Sequence, residues 1–283
     1  MASIILVAVA LLPVIVLCAF VFIKDKTEKE PIGLLLKLLL FGALTCIPAA
    51  IIEIILGKII LGIVPFGGYA YYAADAFIGV ALVEEGVKLA VLVLFTRKNK
   101  EFNCIFDGLI YAVFVSLGFA ALENILYVLQ NGLAVGVLRA VLAVPGHMFD
   151  AVLMGYFYSI WHLKEKAAFV ENTLRKNGAI RTDVAPFTYK KEMWLTLLVP
   201  VAAHGFYDFC CFVGTGWSTL LLIAFVIFLY IYCFRKIFKM SRVDAYENTY
   251  VNSMMIEKYP ELMEEKETEE TLETETIETE ETV

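Results

Sequence analysis

Residues 82–92 read Leu-Val-Glu-Glu-Gly-Val-Lys-Leu-Ala-Val-Leu. They sit inside a largely apolar run, about Tyr72 to Phe95, long enough to cross a bilayer whose core takes about 20 helical residues. An ionisable side chain near mid-membrane costs roughly 2.5–3.5 kcal/mol on insertion scales, so Glu84, Glu85 and Lys88 together demand a reason beyond packing. Lys88 stands four residues after Glu84 and three after Glu85, so on a helix it reaches back to either acid. One carboxylate is neutralised; the other remains for chemistry.

The rest of the chain fits that membrane setting. Of 283 residues 60% are hydrophobic and 19% charged, and the mean hydropathy is +0.76. The fold class is therefore all-α, a polytopic membrane helix bundle. The net charge of -7 misleads, because 14 of the 30 acidic residues but only 2 of the 23 Lys and Arg lie from Asp244 onward. The membrane body is thus net positive, its basic residues gather in short loops, and no nucleic-acid partner is implied. The six cysteines show no CxxC spacing and indicate neither a disulfide framework nor a zinc knuckle.

About seven spans are expected, near 3–23, 32–56, 72–95, 107–129, 144–162, 193–213 and 217–234. Basic residues follow the first (Lys24, Lys26, Lys29), third (Arg97, Lys98, Lys100), fifth (Lys164 to Lys191) and seventh (Arg235, Lys236, Lys239). By the positive-inside rule this places the N-terminus outside and the C-terminus in the cytoplasm. Pro48 predicts a kink in the second span, and the basic stretch from Lys164 predicts a loop with one surface helix. Residues 1–240 form the transmembrane domain; 241–283 form an acidic, Glu/Thr-rich cytoplasmic tail expected to be disordered. No internal repeat stands out, which disfavours an inverted-repeat transporter.

Further polar residues interrupt the apolar spans: Glu123 with Asn124, His147 with Asp150, and His204 with Asp208. With alternating span direction, all of them fall between mid-membrane and the outer third, at the level of Glu84 and Glu85. His204 and Asp208 share a helix face at i, i+4, as do His147 and Asp150 at i, i+3. Any one of these groups is explained as interhelical glue. The whole set at one depth points instead to general-base activation of water, to a divalent metal site, or to a proton or ion relay.

Several ordered motifs then carry a resemblance. Glu84-Glu85-Gly86-Val87-Lys88, Phe106-Asp107-Gly108 leading to Phe119 and Glu123-Asn124, Pro145-Gly146-His147 and His204-Gly205-Phe206-Tyr207-Asp208, with Glu30-Pro31 ahead of them, resemble the successive motifs of the PrsW family of intramembrane proteases. That family is similar to the glutamate-dependent membrane endopeptidases that include the CAAX prenyl-protein enzymes, with EExxK/R, FxxxE/H and HxxxD/N elements. The resemblance implies a multi-pass protein of the bacterial cytoplasmic membrane that makes the site-1 cut in a single-span anti-sigma factor during stress signalling.

The catalytic candidates are Glu84, Glu85, Glu123, His147 and His204, supported by Lys88, Phe119, Asn124, Asp150 and Asp208. In one reading Glu84 or Glu85 is general base on bare water, His204 holds that water or protonates the leaving amine, and Asn124 or His147 donates to the oxyanion. In the other, Glu84 or Glu85, Glu123, His147 and His204 ligate a divalent metal such as zinc. The competing function classes are an ion- or proton-coupled transporter and a CAAX-type endopeptidase. The residues carry no reading of oligomeric state.

Overall fold

The computed structural model describes residues 2–262, and among these the chain is a helical bundle without strands. Helix α1 spans Ala2–Lys24, α2 Ile32–Leu44 and α3 Cys46–Ile63. Next comes a continuous helical segment made of α4 (Tyr69–Ala74), a π-helical stretch (Asp75–Ala81) and α5 (Leu82–Thr96). Then follow α6 (Asp107–Asn131), α7 (Leu133–Val141), α8 (Ala143–Lys176), α9 (Lys190–Val213), α10 (Gly216–Arg242) and α11 (Glu247–Lys258). Six segments among the described residues are long and apolar enough to cross a membrane: α1, α2–α3, α6, α7–α8, α9 and α10. The expected span at 72–95 is helical throughout, but it is divided by the π turns and carries its charges at the centre.

Helix α6 is the hub. Every residue from Asp107 to Ala120 is buried, and α1, α2 and α8 pack around it. Lipid is as apolar as the helices, so close packing rather than water exclusion holds such a bundle together, and small residues set the approach. A Cβ on Gly118 would collide with the backbone carbonyl of Leu39, and one on Gly42 with that of Val115. Helices α2 and α6 therefore touch backbone to backbone.

Several boundaries differ from expectation for local reasons. The second span breaks at Thr45, between α2 and α3, and continues to Ile63. Pro48 is the cause, since a proline ring disfavours a helical carbonyl four residues earlier, here Leu44. The expected loop after residue 162 is largely helix: α8 continues to Lys176, 34 residues in all. Its C-terminal end is held by α11, which lies within the stretch expected to be a disordered tail. Val251, Met255 and Tyr259, four residues apart, pack against Leu163, Ala167 and Ile180. The rest of that tail, from residue 263, lies outside the described residues.

Candidate active site

The π-helical stretch directs α5. It packs on α9, where Phe77 fills the space a Cβ on Gly205 would need. π turns inside α-helices recur at functional sites because they re-aim the residues that follow. Here those residues are Glu84 and Glu85, and the neighbour on α9 is His204. Glu84 lies 12 residues from Thr96, which at the α-helical rise is about 18 Å from the basic end of α5, past the middle of a ~30 Å core.

Lys88 is 1% exposed, with its Nζ 3.0 Å from Glu84 Oε2, 2.8 Å from Glu85 Oε1 and 3.2 Å from His147 Nδ1. The sequence-based pairing is therefore not a choice between acids: one ammonium serves both. Its fourth side rests 4.2 Å above the ring of Phe119, a cation–π contact strengthened by the absence of water. Both ring nitrogens of His204 face carboxylates. Its Nδ1 is 2.9 Å from Glu85 Oε1, and its Nε2 is 3.3 Å from Asp208 Oδ2 and 4.0 Å from Glu84 Oε2. Asp150 Oδ2 stands 3.9 Å from Nδ1 on the same ring.

The four donors that converge are Glu84, Glu85, His147 and His204, whose ligand atoms all lie within 4.8 Å of one another. Glu123, expected among the ligands, stands one step out: its Oε2 is 2.8 Å from His147 Nε2 and 2.8 Å from a guanidinium nitrogen of Arg139. Asn124 is also turned away. Its amide donates to the Ala10 carbonyl at 2.8 Å and its Oδ1 accepts from Arg139 Nε at 3.0 Å, which turns the side chain toward α1 and α7 and away from the four converging groups. Asp150, Asp208 and Phe119 are all at the cluster.

A cavity of about 720 Å³ opens beside the cluster between α3, α6, α7, α8, α9 and α10. Glu84, His147 and His204 line it, with Glu53, Tyr127 and Arg139 on the facing walls. Glu85 is fully buried behind them, and its Oε2 has no hydrogen-bond partner among the described residues. Arg139 and Glu53 were missed by reading the motifs. The available signal for Arg139 was its place: a basic residue beside a turn expected on the outer side runs against the positive-inside rule.

The donor set suits a divalent cation. Two carboxylates and two imidazoles are the hard and borderline ligands of catalytic zinc, and an unpartnered buried carboxylate oxygen is the kind of group a cation satisfies. Lys88 already places one positive charge against three of the four donors.

A sequence model described as "PrsW family intramembrane metalloprotease" matches residues 30–233, which contain every residue of this cluster. Curated relatives carry the name Protease PrsW. That of Clostridioides difficile (strain 630) is 32% identical over 225 residues, 78% of this chain and 85% of its own. That of Geobacillus kaustophilus is 33% identical over 216 residues, 75% of this chain and 82% of its own. That of Bacillus subtilis (strain 168) is 28% identical over 239 residues, covering 84% and 97%. No solved structure matches.

Proposed function

We propose a substrate class and a division of labour for this chain, which belongs to the PrsW family of intramembrane metalloproteases. It is a multi-pass protein of the bacterial membrane and a membrane protease. The proposed reaction is hydrolysis of one peptide bond in a single-span membrane protein, the site-1 cut in an anti-sigma factor that starts an envelope-stress response. The observation that carries it is the convergence of Glu84, Glu85, His147 and His204 beside one cavity, more than half a membrane away from the basic end of α5. With the N-terminus outside, that depth suits a cut toward the outer face.

Glu84 is the general base. Of the two adjacent carboxylates it alone lines the cavity, and only its Oε2 is engaged by Lys88. It takes a proton from water as the water oxygen adds to the scissile carbonyl. His204, whose two nitrogens both face carboxylates, returns a proton to the amine as the carbon–nitrogen bond breaks. Glu85 holds Lys88 and His204 in register from behind. In the metal-dependent alternative, Glu84, Glu85, His147 and His204 would instead serve as ligands to a divalent metal, zinc being our proposal, which would supply Lewis-acid polarisation and a more acidic water.

The test is co-expression with tagged single-span membrane regulators, following a shortened fragment for wild type, Glu84→Ala, Glu85→Ala and His204→Ala. Loss of the fragment in all three is expected; normal cutting by all three places the site elsewhere. Full cleavage by a purified, exhaustively chelated enzyme with no bound metal would remove zinc from the reading.

A further inference from the structure

Glu53 is a charged group on the cavity wall that the proposed reaction leaves unused. It stands on α3 in a run of isoleucines, Ile51-Ile52-Glu53-Ile54-Ile55, and its place on the helix turns it inward. Ala49 and Leu56, four residues before it and three after, share its face and pack in one cluster with Val83 of α5 and Phe119 of α6. The four isoleucines beside it are exposed on the outside of the bundle.

The other acids that line this cavity are matched. Glu84 has Lys88, Glu123 has Arg139, and Asp150 and Asp208 have His204 within ion-pair distance. Glu53 lines the same cavity with no hydrogen bond or ion pair of its own among the described residues. Lys58, the other charge of α3, is exposed and lies about 140° round the helix from it. A carboxylate within a membrane helix is costly unless it is paired or wet. A peptide that enters the cavity displaces water from Glu53, so the bare carboxylate opposes binding unless the peptide brings it a donor.

We propose that Glu53 is a specificity-determining residue of the protease: it receives a basic side chain, Lys or Arg, of the membrane-spanning substrate about two residues from the scissile bond. The position follows from the helix. Glu53 lies one turn, about 6 Å, along α3 from Ala49, whose partners Val83 and Phe119 border Glu84 and Lys88, and an extended peptide advances about 3.3 Å per residue. An ammonium or guanidinium makes charge-assisted bonds with the carboxylate. An acidic side chain there meets like charge, and an apolar one leaves the carboxylate unpaired. Lys and Arg are ordinary anchors at the ends of membrane spans, and the proposed cut lies toward one of those ends. The inference rests on the protease reading and adds the class of side chain that the site selects.

The experiment uses the full-length enzyme in nanodiscs and single-span reporters that carry Lys, Leu or Glu at one position, moved residue by residue along the outer end of the span. At one position wild type should prefer Lys to Leu by about tenfold or more in kcat/KM, and Lys to Glu by more, with the cut bond found by mass spectrometry within about three residues of it. Glu53→Gln should erase the preference, mainly through KM. Glu53→Lys should reverse it in favour of Glu, which a merely structural role does not produce. Affinities of the same reporters for Glu84→Gln and for the double variant Glu84→Gln, Glu53→Lys, read by fluorescence anisotropy, should show the same reversal without cutting. A wild type that cuts but is indifferent to charge at every position, or a preference for Lys that survives in Glu53→Lys, overturns the proposal and leaves the protease reading standing. Should wild type cut none of the reporters, that reading fails, and the reversal or its absence in the affinities still decides the role of Glu53.

Discussion

Lys88 and Glu85 form an ion pair of 2.8 Å in which the lysine is 1% exposed and the glutamate 0%. Neither charge has access to water, and Glu84 and His204 complete the same network. Removing one partner from such a pair costs far more than the pair contributes, because the other is left charged and unsolvated. Lys88→Met should therefore destabilise the fold by about 3–5 kcal/mol and abolish cutting. The double variant Lys88→Met, Glu85→Gln should regain folded protein and stay inactive. Thermal unfolding in detergent alongside a cleavage assay checks both halves.

Glu84 and Glu85 are neighbours in sequence with unlike surroundings, so their glutamine variants should fail differently. Glu84 faces the cavity and is held by one strong contact; Glu85 is enclosed and accepts from both Lys88 and His204. Glu84→Gln should keep a near-wild-type melting temperature while losing roughly 10²–10⁴-fold in kcat, the usual contribution of a general base. Glu85→Gln should lower both the melting temperature and kcat. Equal losses of stability in the two variants would contradict the assignment of Glu84 as base.

Much of this site was legible because charge inside a membrane is costly enough to be conspicuous. Glu84, Glu85, Lys88, His147 and His204 each interrupt an apolar run, and alternating spans put them at one depth before any contact was known. Rotation about each helix axis was not legible, and it decides who touches whom. Glu123 and Asn124 are adjacent on α6, yet one faces His147 while the other reaches the Ala10 carbonyl on α1. The same holds for boundaries. A proline announces a break but not that it falls at Thr45, and an acidic composition conceals the apolar seam of α11 at Val251, Met255 and Tyr259.

The turn between α1 and α2 should make stability fall as pH rises. Asp25 and Glu30 are both buried there, and burial pushes Asp25 up to about 6 and Glu30 up to about 7. Around Asp25 stand Lys29, Glu28 and Asp244; around Glu30 stand Tyr111, Asp107, Asp25 and Glu101. The folded chain thus holds protons that the unfolded chain has released once pH exceeds the ordinary carboxylate range. Linkage makes the fold most favoured near pH 4 and progressively less so up to about pH 7. A melting temperature that falls over this window, and falls less in Asp25→Asn and Glu30→Gln, is expected; a rise would reverse the sign.

Glycines in the membrane segments should divide sharply by what a Cβ would meet. Gly118 on α6 lies against the Leu39 carbonyl of α2, which is backbone and cannot swing aside, whereas a Cβ on Gly86, inside the Glu84–Lys88 motif, meets nothing within 4 Å. Overpacking a core side chain costs about 1–3 kcal/mol when neighbours can shift, and helix backbones shift less readily. Gly118→Val should therefore force α2 from α6 and lose at least about 3 kcal/mol, seen as a collapse in folded yield. Gly86→Ala should be tolerated and gain up to about 1 kcal/mol from helix propensity. Since α6 carries Phe119 and Glu123 on the turns beside Gly118, the first variant should also lose cleavage, while the second should keep it despite lying within the catalytic motif.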